Sequence, residues 1–217
     1  RHSGGDTSSR KNRQNPKTKI ALERGFIPYI DTAYQGLGVG LDADAYGIRS
    51  MARSLPELIV ASSCSKNFGL YRERTGSITF LSETSAKAEI VVGQAMAVAR
   101  QLYSMPPAHG ALLVAMILGD SELRGSWEQE LREVRERIIS MRCLLTDRIC
   151  DNDAGMDFNH IRKQRGMFSF LGINASQLET LRDQFGIYIV SSTRINMAGI
   201  NSGNIDYLVS SLRSVLK

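Results

Sequence analysis

Hydrophobic positions in the first half of the chain fall into short continuous runs separated by helical patterns. The continuous runs have the length of strands and lie at residues 26–31, 58–61 and 77–81. The first of them predicts a buried strand. Apolar residues at helical spacing predict a helix over residues 42–55 and another from the N-cap Ser82 to about residue 103. A Pro-Pro pair ends that helix, and His109 is expected to begin the next one. Strands that alternate with helices are typical of an α/β layer, in which helices cover a sheet.

The second half of the chain begins with one long helical pattern. Apolar and charged residues repeat at helical spacing over residues 121–150, and the Glu- and Arg-rich stretch at 128–137 predicts a solvent-exposed face. The predicted elements beyond it are strands at residues 167–171, 187–190 and 194–197 and helices at 176–185 and from about 204. We therefore expect a disordered basic tail at residues 1–19, a truncated large α/β domain at residues 20–133 and a small α+β domain at residues 134–217.

The net charge of +5 is confined to the start of the sequence. Residues 1–19 contain six basic side chains and one acid, and subtracting these from the totals of 27 and 22 leaves 21 of each sign at positions 20–217. Because this body is neutral and shows no basic face, we expect no nucleic-acid function.

No apolar run approaches the roughly 20 residues of a membrane span, so we expect no membrane partner. The three cysteines form no Cys-x-x-Cys pair, and the histidines show no metal-ligand spacing. Free thiols are typical of a reducing compartment and predict a cytoplasmic protein. A mitochondrial location remains the alternative, because the tail is rich in Arg and Ser and poor in acids, as transit peptides are.

The segment at residues 63–76 gives the clearest indication of chemistry. It reads Ser-Cys-Ser-Lys-Asn-Phe-Gly-Leu-Tyr-Arg-Glu-Arg-Thr-Gly and follows a predicted strand. An amine among hydroxyls, with a guanidinium eight residues on, suits an aldehyde cofactor that has a phosphate group. Lys66 would form a Schiff base with the aldehyde, and Ser63 and Arg74 would hold the phosphate oxygens.

A carboxylate and a phenol follow the first predicted strand. Asp31 ends that strand, where ligands collect in open α/β sheets, and beside a pyridine ring its carboxylate would keep the ring nitrogen protonated. Tyr34 follows in the stretch Asp-Thr-Ala-Tyr-Gln-Gly and would donate its hydroxyl to a phenolate oxygen of the cofactor. Together the two stretches resemble those of the class I pyridoxal-phosphate-dependent aminotransferases, specifically the aspartate aminotransferase branch.

This resemblance implies a fold, a cofactor and a reaction. The fold is the large domain of the type I pyridoxal-phosphate transferases, a mixed and mostly parallel sheet with flanking helices, followed by the small α+β domain. The cofactor is pyridoxal 5′-phosphate, bound by Lys66, Asp31, Tyr34, Ser63 and Arg74. The reaction is transamination between L-aspartate, or a related amino acid, and 2-oxoglutarate. In it, the catalytic lysine also moves a proton between substrate and cofactor.

Two arginines extend the resemblance to the substrates, which are amino acids and 2-oxo acids. Arg194, in Ser-Thr-Arg-Ile-Asn-Met-Ala-Gly, matches the family arginine that holds the α-carboxylate, with Thr193 where glycine is usual. Arg100 precedes Tyr-Ser-Met-Pro-Pro-Ala-His-Gly and matches the arginine that reaches the distal carboxylate in the neighbouring subunit. The resemblance therefore implies a homodimer with shared active sites. Surface ion pairs are the alternative for both arginines. Phe168 resembles a pocket-lining aromatic, which core packing would explain equally well.

The resemblance runs from about Lys17 to Lys217 but covers only the C-terminal half of the family's architecture. The family's phosphate-binding turn, its ring-stacking aromatic and its Asn-Pro-x-Gly turn find no match in this sequence. We favour a fragment lacking the N-terminal half, because every residue on the lysine side remains. The alternative is a catalytically incompetent remnant that acts as a binding or dimerisation protein. In either case we expect the isolated chain to be poorly soluble or partly molten, and weak or inactive as a transaminase.

Overall fold

The computed structural model describes residues 16–150 and 157–216. They form two compact units. The sheet unit comprises residues 16–33 and 45–119, and the helical unit comprises residues 34–44, 120–150 and 157–216. The predicted domain joint at residue 133 lies inside a continuous helix, Ser121–Cys150, and the predicted domain limits stay a prediction.

The first helix, α1 (Pro16–Arg24), corrects the predicted tail. Residues 16–19 are helical, whereas the rest of the predicted tail lies outside the described residues. Proline suits the first helical position because its missing N–H would have no partner there. Thr18 and Ala21 are buried, so this helix contributes to packing and is not part of an unstructured segment.

The sheet unit is built on three strands, β1 (Tyr29–Thr32), β2 (Leu58–Ser63) and β3 (Gly76–Leu81). β1 pairs with β2 in parallel and β2 pairs with β3 antiparallel, so the sheet is mixed. A small core forms where β2 meets the helices, and its buried members are Ala21, Met51, Leu55, Leu58 and Val60.

The first strand is shorter and more exposed than predicted. Residues 26–28 precede β1, because Pro28 has no N–H to donate to the ladder, although its carbonyl accepts the Ile59 N–H at 3.0 Å. Tyr29 and Asp31 on β1 are exposed. The prediction of a buried strand is wrong here, since β1 is an edge strand of this sheet.

Three further helices are α2 (Leu41–Ala52), α3 (Ser85–Tyr103) and α4 (His109–Gly119). α2 ends three residues earlier than predicted, and α4 begins at His109 as predicted. Thr84, and not Ser82, caps α3, because the Thr84 hydroxyl accepts the Lys87 N–H at 3.2 Å.

Helices α3 and α4 expose apolar faces. Within the described chain α3 buries none of its residues and α4 buries only Gly110. Met96, Leu102 and Met116 are 68%, 74% and 63% exposed. Since an apolar helix is normally covered, these faces are expected to pack against further polypeptide.

The helical unit contains the larger core. Its elements are α5 (Ser121–Cys150), α6 (Asn159–Lys163), β4 (Phe168–Phe170), α7 (Ala175–Phe185), β5 (Arg194–Asn196), a 3-10 turn (Met197–Gly199) and α8 (Ile205–Val215). The long helix α5 agrees with the predicted bounds. Its Ile138, Leu145 and Ile149 are fully buried and belong to one core cluster with Leu181 of α7 and Leu212 of α8. β4 and β5 pair antiparallel.

Residues 187–190, predicted as a strand, form none in the described chain. Gly186 ends α7 in the left-handed conformation, and the Ile187 N–H donates to the Leu181 carbonyl at 2.9 Å. At the other end the Thr193 N–H donates to the Val190 carbonyl at 2.8 Å. Local turns therefore use backbone groups that a strand would offer to a neighbour.

Candidate active site

The predicted Schiff-base lysine lies in a loop that is closed at its base by β2 and β3. We call residues 64–75 the lysine loop. Ser63, the last residue of β2, pairs in register with Gly76, the first of β3. The Cys64 N–H donates to the Thr75 carbonyl at 3.0 Å, and the Leu70 N–H donates to the Cys64 carbonyl at 3.4 Å. The first bond holds the two ends of the loop together, and the second holds its middle against its first residue.

Glycines in this segment are required by geometry. A side chain on Gly76 would bring a Cβ within 2.4 Å of the Ser62 carbonyl oxygen, and Gly69 has a φ of +69°. Ser65 is buried and donates its N–H to the Ser63 hydroxyl at 3.2 Å, while Lys66 next to it is half-buried. The local sequence is therefore fitted to a tight loop that holds one amine.

The two predicted phosphate ligands lie near opposite ends of the lysine loop along the chain. Ser63 is at the end of β2, and Arg74 is two residues before the start of β3. Arg74 has a φ of +51°, and its Nη1 donates to the Tyr71 carbonyl at 3.1 Å. The guanidinium is exposed and so remains accessible to an anion. Phosphate binding by these two residues stays a prediction.

Asp31 is on the strand next to the one that leads into the lysine loop. It is in register with Ala61 of β2, and Thr32 is in register with Ser62. Because β1 and β2 run parallel, their carboxyl ends lie at the same edge of the sheet, where ligands bind in open α/β folds. The structure thus brings Asp31 and the start of the lysine loop to one sheet edge.

Helix α4 approaches the lysine loop at a glycine that sequence analysis did not single out. A Cβ on Gly110 would lie 1.9 Å from the Thr75 hydroxyl and 2.8 Å from the Glu73 Cβ. A glycine inside an otherwise apolar helix was the sequence signal that could have identified it. Gly110 therefore fixes how closely α4 packs on the loop.

Cys64, the first residue of the lysine loop, is not an activated nucleophile. Partial burial raises the pKa of its thiol above the usual value, so the thiol is protonated at neutral pH.

A second cluster, in the helical unit, joins three residues that sequence analysis singled out. The ring of Tyr34 meets the ring of Phe168 edge-on, with centroids 5.7 Å apart and an interplanar angle of 82°. The Arg194 guanidinium carbon is 4.5 Å from the Phe168 centroid. We call these residues the Tyr34–Phe168–Arg194 cluster. Phe168 therefore contacts both residues, and its role as a pocket-lining aromatic stays a prediction, with core packing as the alternative.

Thr193 lies at a position where glycine is usual, and its backbone conformation shows why. Its φ is +61°, a conformation that glycine adopts without strain and a β-branched residue does not. The Thr193 hydroxyl accepts the Gly172 N–H at 3.1 Å, and its carbonyl accepts the Leu171 N–H at 3.0 Å. These bonds hold Arg194 at the head of β5 despite the unfavourable backbone angle.

Arg142, which sequence analysis missed, lies behind β4. It is 2% exposed, and its guanidinium donates to the Ser169 hydroxyl at 3.3 Å and to the Gly166 carbonyl at 2.5 Å. Burial lowers the pKa of this guanidinium from its usual value. Arg142 therefore supports the strand that contains Phe168.

Arg100 lies in the last turn of α3 and is exposed. Its carbonyl accepts the N–H of the C-cap Ser104 at 3.1 Å. It belongs to the sheet unit, whereas Arg194 belongs to the helical unit. The binding of a distal carboxylate by Arg100 stays a prediction.

Residues 16–150 and 157–216 contain no group of three or more His, Cys, Asp or Glu side chains that could hold a metal ion. Within the same ranges no helix is long and apolar enough to cross a membrane.

Comparison with known proteins identifies the family. The family described as aminotransferase class I and II matches residues 17–212. The chain belongs to this family. An aspartate aminotransferase of Haemophilus influenzae is 47% identical to this chain over 197 residues, and an aromatic-amino-acid aminotransferase of Pseudomonas aeruginosa is 44% identical over 196 residues. These matches cover 91% and 90% of the chain but 50% and 49% of the relatives.

Solved structures agree with the sequence comparison. An aromatic-amino-acid aminotransferase from Burkholderia pseudomallei, covalently bound to pyridoxal phosphate, matches with a TM-score of 0.90 and 41% identity. The match covers 93% of this chain and 50% of the Burkholderia protein. A mitochondrial aspartate aminotransferase from Trypanosoma brucei matches with a TM-score of 0.89 and 35% identity, over 93% of this chain and 53% of that one. The predicted family and fold class are confirmed, and the chain spans about half the length of its relatives.

Proposed function

We propose that this chain is the lysine-bearing half of a pyridoxal-phosphate-dependent aminotransferase that transfers the amino group of L-aspartate, or a related amino acid, to 2-oxoglutarate. The observation that supports this most is the closed lysine loop between β2 and β3, with Asp31 on the adjoining parallel strand. Amine, hydroxyl, guanidinium and carboxylate are the donor set that a phosphorylated pyridine aldehyde requires.

The residues of the sheet unit would hold the cofactor in separate ways. Lys66 would bond to the aldehyde, and its amine would later move a proton between substrate and cofactor. Ser63 and Arg74, from the two sides of the loop, would bind the phosphate. Asp31 would keep the ring nitrogen protonated. When bound, the cofactor supplies an electron sink for the substrate carbanion.

Two further residues, Tyr34 and Arg194, would contact the cofactor and the substrate. The Tyr34 hydroxyl would donate to the cofactor's phenolate oxygen. Arg194 would hold the substrate α-carboxylate with two parallel N–H bonds, a geometry that arginine provides and lysine does not. Its contact with the Phe168 ring pre-orients the guanidinium and so limits the entropy lost on binding.

Arg100 would bind the distal carboxylate in the neighbouring subunit, which makes the proposed assembly a homodimer. The apolar faces of α3 and α4, with Leu102 74% and Met116 63% exposed, favour such an assembly or packing against further polypeptide. We place the protein in the cytoplasm, with the mitochondrion as the alternative.

A catalytically incompetent remnant is the second candidate function. The observation in its favour is that the chain spans half the length of its relatives while α3 buries none of its described residues. Such a remnant would bind partners or cofactor through the same surfaces without turnover.

A chimaera separates the two candidates. The first half of the H. influenzae aspartate aminotransferase, joined to this chain, would be assayed with aspartate and with phenylalanine as amino donors. The enzyme proposal predicts turnover that Lys66→Ala lowers at least about a thousandfold, because covalent and proton-transfer functions are both lost. Arg194→Lys should lower kcat/KM about 10- to 100-fold, by loss of the bidentate contact.

The control variant in the chimaera is Lys163→Ala, an exposed lysine of α6 that should leave turnover unchanged. A folded chimaera that binds the cofactor without turning over either donor would contradict the enzyme proposal and support the remnant.

A further inference from the structure

The loop that begins with Tyr34 is clamped by a single carboxylate. Residues 34–40 connect the end of the first strand to α2, and Asp44 lies in the first turn of that helix. Its Oδ2 accepts the N–H groups of Gly36 and Gly38, both at 2.9 Å, and its Oδ1 accepts that of Val39 at 2.8 Å. Three amides thus converge on one anion, an arrangement in which each hydrogen bond is strengthened by the charge.

The sequence of the loop is fitted to this clamp. A Cβ on Gly38 would lie 2.6 Å from the Asp44 Oδ1, so only glycine lets the backbone approach the carboxylate. Gly36 has a φ of +94°, and a Cβ there would lie 2.4 Å from a Leu131 methyl carbon. The carbonyl of the same residue is also bonded, because Arg135 donates to the Gly36 carbonyl at 3.0 Å.

The clamp acts on the residues directly after Tyr34. The Leu37 N–H donates to the Tyr34 carbonyl at 3.0 Å, and Leu37 is 2% exposed within the core of the helical unit. The Tyr34 ring in turn rests edge-on against Phe168. The direction of the phenol therefore depends on a backbone turn that the Asp44 carboxylate holds together.

We propose that Asp44 is a positioning residue that fixes the Tyr34 loop and, through it, the phenol's hydrogen bond to the cofactor. The effect on the phenol's hydrogen bond rests on the proposed function, whereas the fixing of the loop by Asp44 is a property of the chain without cofactor. The simpler account is a helix-dipole role, in which any acid in the first turn of α2 stabilises the helix. Asp42 lies in the same first turn and separates the two accounts.

The first test needs no cofactor. Asp44→Asn and Asp42→Asn remove the same charge from the same turn of the full 217-residue chain, and Trp127 fluorescence verifies that each variant stays folded. Amide hydrogen exchange is then measured on peptides spanning residues 35–40. Asp44→Asn should speed exchange of these amides about tenfold or more, and Asp42→Asn should leave their rates near wild type. Equal rates in all three proteins, or equal acceleration by both substitutions, would overturn the clamp.

The second test uses added pyridoxal phosphate and its visible absorption band, titrated with pH. Loss of the phenol contact in Tyr34→Phe should raise the pH midpoint of the band, and Asp44→Asn should move it in the same direction while Asp42→Asn does not. If the wild-type chain shows no band, the proposed function and the Tyr34 contact are both overturned. The hydrogen-exchange result still decides whether Asp44 holds the loop. A wild-type band whose midpoint is unaffected by Asp44→Asn would overturn the positioning of Tyr34 alone.

Discussion

Leu145 offers the sharpest test of the core of the helical unit. It is fully buried on α5, and Leu145→Ala removes three carbons. At about 0.8 kcal/mol per carbon the lost transfer free energy is about 2.4 kcal/mol. A residual cavity raises the expected loss in the free energy of unfolding to about 3–4 kcal/mol. The helical unit has its own buried core, so we expect it to unfold cooperatively even where the isolated chain is partly molten. With a urea dependence of about 2 kcal/mol per M, its unfolding midpoint should fall by about 1.5–2 M.

The single tryptophan of the sequence makes this measurement specific. Trp127 is on α5 and packs against the core of the helical unit, so its fluorescence reports on the unfolding of that unit. The matched control is Leu123→Ala on the same helix, where the side chain is 47% exposed and its removal leaves no cavity. That variant should lose about 1 kcal/mol or less. A loss under about 1 kcal/mol for Leu145→Ala, or equal losses for both variants, would refute the packing described for α5.

Three further predictions follow from local geometry. Asn174→Ala should cost about 1 kcal/mol in the same urea experiment, because it removes the capping box of α7, and an unchanged midpoint would contradict that cap. Gly110→Ala should speed proteolysis of the lysine loop, since its methyl would collide with the Thr75 hydroxyl, whereas Gly93→Ala in α3 meets no atom within 4 Å and should slow it or have no effect. A backbone amide hydrogen bond lowers the pKa of Asp157 below its usual value. The resulting stabilisation is therefore complete above the ordinary Asp pKa of about 3.9 and is lost as the pH falls through the lower, folded-state pKa. Asp157→Asn should reduce the slope of stability against pH in this range, and an identical slope would disprove the assignment.

The elements that sequence analysis predicted well have their determinants nearby in the chain. Helix α5 has a single unbroken period over its length, so both of its ends agree with the prediction. Helix α7 begins one residue before the predicted start, with the capping box at Asn174, and ends at Gly186, both of which are local signals. The lysine loop is equally local, because Gly69 and Gly76 are required by its own backbone.

The errors arise where residue composition does not determine which groups the backbone bonds to or what covers a strand. Residues 187–190 have the composition of a strand, but the hydrogen bonds of Ile187 and Val190 go to nearby turns. The burial of β1 was predicted from its apolar residues, yet Tyr29 is 62% exposed because an edge strand is covered only by what packs beside it. Propensity does not encode these neighbours.

The site shows the same division. Lys66, Asp31 and Arg194 were predicted from short motifs in their immediate neighbours, and their roles stay predictions. Arg142 could not be predicted in this way, since its acceptors at residues 166 and 169 are brought to it only by folding. Asp44 was within reach, because an acid in the first helical turn after a glycine-rich loop is a local signal.

The central claim is that Lys66 bonds covalently to pyridoxal phosphate, and reductive trapping tests it most directly. The chain is incubated with the cofactor, reduced with borohydride, digested and analysed by mass spectrometry. We predict that the modified peptide contains Lys66, that Lys66→Ala abolishes the label, and that Lys87→Ala, at an exposed lysine of α3, leaves it unchanged. A label spread evenly over surface lysines, or one that persists in Lys66→Ala, would contradict the account.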